Sequence, residues 1–279
     1  MRPHLIDWRL GVICMAVGLS GCSNQPSYRA NDVAATIAQL GSREYKMQIT
    51  ARAVGTTLAV HLRAPGLIAQ DGERIQLKES AHEIVGNALE IVHRVLLSTD
   101  YPCRFYLFIA SDPNIPGVGF TIVRYLDDVR RANASVISPS EFLSRTVLDL
   151  TYIDTVKGSL EQWVPNEITL EQFLTWQLAR RIQSRLAERL QAPQTPLGSN
   201  VRCAGEFKNG EFAFTLNLSP ESGQSLQSDA VEKMFQQATT EISRVLSGYH
   251  FQQFTAVRLT YPLSGRTLLL PKTNLELFR

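Results

Sequence analysis

An amphipathic pattern recurs along this chain at a fixed offset, and that offset constrains the fold more than any other feature. In the stretch beginning at Ser80 the apolar positions are Ala81, Ile84, Val85, Ala88, Val92, Val95 and Leu96. From Ser228 to Leu246 they are Val231, Met234, Phe235, Ala238, Ile242, Val245 and Leu246, each the first set displaced by 150 residues. Arg94 and Arg244 match at the same offset. Both sets keep the i, i+3, i+4, i+7 rhythm of a one-faced helix. Any two amphipathic helices share that rhythm, so the flanking segments carry the argument for a repeat.

Those segments read alike. Before the first helix, Lys46 to Arg63 forms two strands joined at Val54-Gly55-Thr56, the second alternating Leu58, Val60 and Leu62. Before the second, Val201 to Leu218 forms two strands joined at Asn209-Gly210, a hairpin turn signal, with Phe212, Phe214, Leu216 and Leu218 alternating. After the helices come Arg104–Ala110 with Gly119–Tyr125, and Phe254–Tyr261 with Arg266–Leu270. The chain is therefore predicted to be α+β. It reads as two similar strand-strand-helix-strand-strand units, with antiparallel sheets each covered by a helix and a helical insert between them. Ser80 with Glu83 is expected to cap the first helix, and Gly248 to close the second in a left-handed conformation.

The insert has its own signals. Ser138-Pro139-Ser140-Glu141 combines an N-cap serine, proline at the first helical position and glutamate two residues further on. Leu148 to Ile153 reads as a short strand. Thr169 with Gln172 opens a longer helix to about Gln191, with the stripe Leu170, Phe173, Leu174, Leu178, Ile182, Leu186 and Leu190. The run 192–198, rich in proline, is expected to link into the second unit. Phe105 to Ala110 is apolar on both faces and needs cover from outside its own unit, which the insert can supply. A further short helix is expected over Asp32 to Leu40.

The first residues read as an export signal. Arg2 and Arg9, with Asp7 between them, precede an uncharged apolar run from Leu10 to Leu19. That run falls short of the ~20 residues a membrane-spanning helix needs and fits a cleavable signal segment. It ends in Leu19-Ser20-Gly21-Cys22, which resembles the lipobox of bacterial lipoproteins. The resemblance implies signal-peptidase recognition of Leu19, Ser20 and Gly21, with diacylglycerol on the Cys22 thiol and an acyl chain such as palmitate on its new amino group. Several acyl chains anchor stably where one binds marginally. No other cofactor is expected. Ser23 resembles the outer-membrane sorting pattern, facing the periplasm in a two-membrane cell; with a single membrane the domain would lie on the outer surface. The expected division is then a signal peptide over 1–21, a lipidated tether over 22–31, a first unit over 32–134, a connecting segment over 135–198 and a second unit over 199–279. The nine tether residues 23–31 reach ~30 Å at most, so partners should be membrane lipid and membrane-adjacent envelope proteins.

Composition limits the rest. Without residues 1–21 the chain keeps 258 of its 279 residues, and its formal charge falls from +2 to about +1. That near-balance gives no basic stripe of the kind a nucleic-acid binder displays. Cys103 and Cys203 would either pair as a disulfide in an oxidising compartment or stand as two buried thiols. His61, His82, His93 and His250 lack metal-ligand spacing, and no metal site is expected. Asp127-Asp128 before Arg130-Arg131 reads as a solvated helix end, and Asp149 and Asp154 say little without geometry. Arg180, Arg181, Arg185 and Arg189 give the long helix a basic side, either solvated or, at Arg181 and Arg185, in contact with an anionic partner. No nucleophile elbow, phosphate loop or zinc-protease helix motif occurs. The leading expectation is a non-enzymatic assembly or interaction component of a membrane-associated complex. The runner-up is a binder of a small or lipidic ligand in the cleft between the units, and an envelope hydrolase comes third.

Overall fold

The computed structural model describes residues 26–71, 74–152, 164, 166–190, 199–220 and 228–275. In chain order these form α1 (Val33–Tyr45), β1 (Gln48–Val54), β2 (Thr57–Arg63), β3 (Ile68–Asp71), β4 (Arg74–Leu77) and α2 (Glu79–Leu96). Next come β5 (Phe105–Ser111), β6 (Val118–Tyr125), α3 (Leu126–Asn133), α4 (Pro139–Arg145), β7 (Val147–Tyr152) and α5 (Leu170–Leu190). The last are β8 (Ser199–Lys208), β9 (Glu211–Pro220), α6 (Ser228–Gly248), β10 (Ala256–Tyr261) and β11 (Arg266–Pro271). The chain is α+β. The signal segment, with Leu19, Ser20, Gly21 and Cys22, lies outside the described residues, as do 192–198 and Asp154.

The first sheet has the order β1-β2-β5-β6-β7 and the second β11-β10-β9-β8; β3 and β4 form a separate hairpin. The hairpin partners run antiparallel, as do β6 and β7, which α3 and α4 connect. The strands joined through α2 and through α6, β2 with β5 and β9 with β10, run parallel. Each of these two crossovers returns the chain to the end where the previous strand began, so both sheets are mixed. The parallel pairs also start alike. The Arg104 N–H donates to the Thr56 carbonyl at 2.8 Å, and the Thr255 N–H to the Gly210 carbonyl at 2.7 Å. Asn209 and Gly210 take φ of 53° and 77°, the primed turn their sequence announces.

Two local expectations fail. The helix α2 begins at Glu79 after Lys78, with no side-chain cap, so Ser80 already lies inside it. Gly248 ends α6 within the helix, and His250 takes the left-handed position at φ 51°. The Phe251 N–H then closes back on the Leu246 carbonyl at 3.0 Å, which lets the Phe251 ring bury itself in the core. Packing of that ring, more than glycine's freedom, sets where the helix stops.

The layers follow from which strand faces are apolar. Helices α1 and α2 cover one face of the first sheet, where Val33, Ile37, Val85, Ala88 and Val92 meet Leu58, Val60, Leu62 and Phe108. The opposite face presents Phe105, Val123 and Val147 to Phe173, Leu174, Leu178 and Ile182 of α5. The same cluster holds Phe212, Phe214 and Leu216 of β9 and the apolar stripe of α6. The order is thus α1/α2, first sheet, α5/α6, second sheet. Sequence placed α5 in a connecting segment, yet it packs on β8 and α6 as α1 packs on β1 and α2. Each sheet therefore owns two helices.

One polar cluster sits at the margin of the first core, with Tyr106 buried and His93 and Arg124 half-buried. The Arg124 guanidinium donates to the Tyr106 hydroxyl at 3.0 Å, and that hydroxyl lies 2.7 Å from His93 Nε2. With an arginine on its oxygen, the phenol serves as donor to a neutral imidazole. Burial, with the Arg124 charge beside it, lowers the His93 pKa to about 4, and burial pushes the Tyr106 phenol up to about 12. The folded value is below the unfolded one, so the unfolded chain takes up the proton first as pH falls. Stability is therefore full above about pH 6.5 and is lost as pH falls toward 4, by ~3 kcal/mol from this residue. Urea unfolding at pH 7 and pH 4.5 should show a smaller difference in His93→Gln than in the native protein. Equal differences would place the acid sensitivity elsewhere.

Candidate functional site at the seam between the sheets

The site is assembled from four helices that meet where the first sheet backs onto the second unit. Strand β6 ends at Tyr125 and runs into α3, which carries Asp128 in its first turn. Helix α4 starts as its sequence announces: the Ser138 hydroxyl accepts the Glu141 N–H at 3.1 Å, with Pro139 in the first turn. It presents Glu141, Ser144 and Arg145. Helix α5 opens on a reciprocal cap, Thr169 N–H to Gln172 Oε1 at 3.1 Å and Gln172 N–H to Thr169 Oγ1 at 3.3 Å. That fixes the phase that brings Gln177 and Arg181 to the seam. Tyr249 follows α6.

Asp128 is the centre of this arrangement. The residue is 2% exposed, and its carboxylate accepts from Arg145 Nη1 at 3.0 Å and from the Tyr249 hydroxyl at 2.6 Å. The Arg145 Nε donates to Glu141 at 2.8 Å, and its guanidinium lies 4.9 Å from the Tyr249 ring centroid. Gln177 Nε2 donates to the Arg145 carbonyl at 2.7 Å and to the Tyr249 hydroxyl at 3.1 Å. Burial raises the Asp128 pKa, outweighing its bonds to Tyr249 and Arg145. Burial, and then the Asp128 charge, also raise that of Tyr249. A phenol held that far from ionisation works as a hydrogen-bond donor. The cluster is a clamp: Asp128 and Arg145 belong to the first unit's extension, Gln177 and Tyr249 to the second.

A cleft of about 690 Å³ opens beside the clamp, lined among others by Thr56, Arg104, Glu167, Glu171, Gln253 and Tyr249 of the clamp itself. Glu167 bridges the units here. Its carboxylate accepts the Thr56 N–H at 2.9 Å and the Thr56 hydroxyl at 3.1 Å, and the backbone bond leads in lowering its pKa. The Ile168 N–H donates to Thr57 Oγ1 at 2.8 Å. Gly55 has φ of 56°, and a Cβ there would collide with the Glu167 carboxylate where it meets Thr56, so glycine suits this turn.

The residues singled out in the sequence fall as follows. Cys103 and Cys203 are free thiols, not a disulfide: the first packs in the α2-side core, the second on β8 against the other core. Burial pushes both thiols up to about 12. Asp128 is buried, so Asp127-Asp128 is not a solvated helix end; only Asp127 faces solvent. The basic side of α5 is matched within the chain. Arg181 donates to the Ser144 carbonyl at 2.9 Å and to its hydroxyl, and Arg180 pairs with Asp149. Arg185 pairs with Glu188 at 3.1 Å and Glu241 at 3.2 Å. Glu241 stands where the 150-residue offset places buried Ile91, and Arg185 and Arg244 together supply the charge it needs there. Arg181 and Arg185 thus both make contacts within the chain, Arg185 with its side chain still half exposed.

Sequence reading missed Asp128, Arg145 and Tyr249 as a unit, because Asp128 lies 17 residues from Arg145 and 121 from Tyr249. No local pattern spans such distances. Among the described residues no group of three His, Cys, Asp or Glu could hold a metal ion, and no helix is long and apolar enough to cross a membrane. No protein-family model matches the chain, and no curated protein matches it.

Removing one partner of a buried ion pair strands the other. Asp128→Ala is therefore expected to destabilise the fold by ~3–5 kcal/mol, read by urea unfolding at pH 7, with part regained in Asp128→Ala/Arg145→Met. A cost below ~1 kcal/mol would show that water takes over the role of Asp128.

Proposed function

We propose that this chain is a lipid-anchored protein of the bacterial cell envelope, acting as a non-enzymatic assembly or interaction component of a membrane-associated complex. Two supports of different kind stand behind this reading. The leader resembles a lipobox, with lipid on Cys22, and the sorting residue Ser23 favours an outer membrane facing the periplasm. The structural support, which carries the interaction half, is the outer strand of the first sheet. Strand β7 ends the strand order, and its Leu148 and Leu150 lie on one face, 36% and 41% exposed. Leu143 of the adjoining α4 is 57% exposed. A strand that ends the sheet order among the described residues and carries an apolar row suits recruitment of a partner strand. The recurrence of one strand order and pairing sense in both sheets supports descent from a duplicated unit. The cleft between the units favours a second reading, a small or lipidic ligand.

The two halves separate experimentally. Cys22→Ser should lose the acyl mass and move from the membrane to the soluble fraction. Leu148→Lys/Leu150→Lys should remain in the membrane yet migrate free of its complex on native gels. Membrane retention of the Cys22 variant would refute the anchor, and unaltered complex migration of the leucine variant would refute the strand surface.

A further inference from the structure

The tether does not run free to the start of α1. The Tyr28 N–H donates to the Ser98 carbonyl at 3.2 Å, Tyr28 forms a parallel bridge with Thr99, and its side chain packs on the first core. If lipid sits on Cys22, the slack is five residues, Ser23 to Ser27, with a reach of about 18 Å in place of ~30 Å. The docking point also selects an end of the molecule. Tyr101, whose N–H donates to Thr99 Oγ1 at 3.1 Å, sends its hydroxyl to the Gly55 carbonyl at 2.7 Å. Gly55 turns β1 into β2, and the next residue, Thr56, lines the seam cleft. Arg104, which lines it too, opens β5 at the same end. Tether root and cleft thus share one end, on opposite faces of a single sheet, whose layer spacing is ~10 Å.

We infer that the lipid anchor holds this end against the bilayer and that the cleft receives the headgroup of an amine-bearing zwitterionic phospholipid. The inference rests on the anchoring reading above. The lining has the matching chemistry. Arg104, its guanidinium 5.6 Å from the Phe105 ring centroid and near enough to help lower the Glu167 pKa, offers a cation for a phosphodiester. Glu167 is engaged by Thr56, whereas Glu171, in the first turn of α5, offers its carboxylate to an ammonium. A primary ammonium has N–H groups to give that carboxylate; a trimethylammonium has none, and a glycerol headgroup has no cation. The cleft is large enough, at about 690 Å³, for such a group with its glycerol.

The test uses the full lipidated protein in nanodiscs, with intact mass confirming the acyl chains on Cys22. A fluorophore at Gln253→Cys, in the cleft, should be quenched by a nitroxide carried on lipid headgroups. One at Pro113→Cys, in the turn after the far end of β5, should not be. In native mass spectra, phosphatidylethanolamine should be retained over phosphatidylcholine and phosphatidylglycerol. Arg104→Ala or Glu171→Gln should each weaken that retention about tenfold, the value of one charge-assisted bond. Equal quenching at both positions, equal retention of the three lipids, or unaffected variants would overturn the inference. Free phosphoethanolamine competing as strongly as the lipid would overturn the bilayer as source and leave a soluble zwitterion. Absence of acyl mass would instead refute the anchoring reading.

Discussion

The apolar stripe of α5 is the constraint on which the other layers depend. Phe173 is fully buried, with its ring 5.4 Å from Phe105 of the first sheet and 6.0 Å from Tyr249 after α6. Leu174, Leu178 and Ile182 extend the contact along the helix. An aromatic core of this kind contributes ~0.5–1.5 kcal/mol per well-placed ring pair beyond the area it removes from water. Remove it, and β5 would expose Phe105 and Leu107 while the second sheet lost half its cover. Neither sheet is therefore a complete two-layer body of its own, and the protein is built as four layers sharing a middle one.

Polar groups follow from that geometry. Four helix ends and a sheet edge converge at the seam, and each brings backbone or side-chain groups that burial would otherwise leave unmatched. Asp128, Arg145, Gln177 and Tyr249 satisfy one another there, while Glu167 and Thr57 tie the start of α5 to the first hairpin. The arrangement fixes register between the units, a role for buried ionic groups that hydrophobic contacts alone serve less specifically. It also leaves the cleft at one end, its lining residues set on a capped helix, beside the Gly55 turn and after the end of α6.

Periodic burial made much of this legible in the sequence. The stripe of α5 from Phe173 to Leu186, the alternation of Phe212, Phe214 and Leu216, and the Asn209-Gly210 turn each report a local rule, and the structure places them accordingly. The need for cover on both faces of Phe105–Ala110 was also legible, since an alternating strand with no polar side has no solvent face. What sequence could not supply was pairing at long range. Parallel alignment of β2 with β5 depends on where the crossover lands, and the Asp128–Tyr249 bond on two elements 121 residues apart. The cap expected at Ser80 failed because the helix begins at Glu79, before the serine that was to start it. Of the partners on the basic side of α5, only Glu188 lies on the same helix and was legible locally; Ser144, Asp149 and Glu241 lie on other elements.

The central claim is that α5 joins the two sheets into one cooperative body, and native-state hydrogen exchange tests it most directly. Amides of β5 in the first sheet and β9 in the second should share one opening free energy. Phe173→Ala should lower both by the same amount, within the ~3–5 kcal/mol expected for deleting a buried phenylalanine. Loss of protection in β9 with β5 unchanged would contradict the account, since it would show two sheets that stand independently.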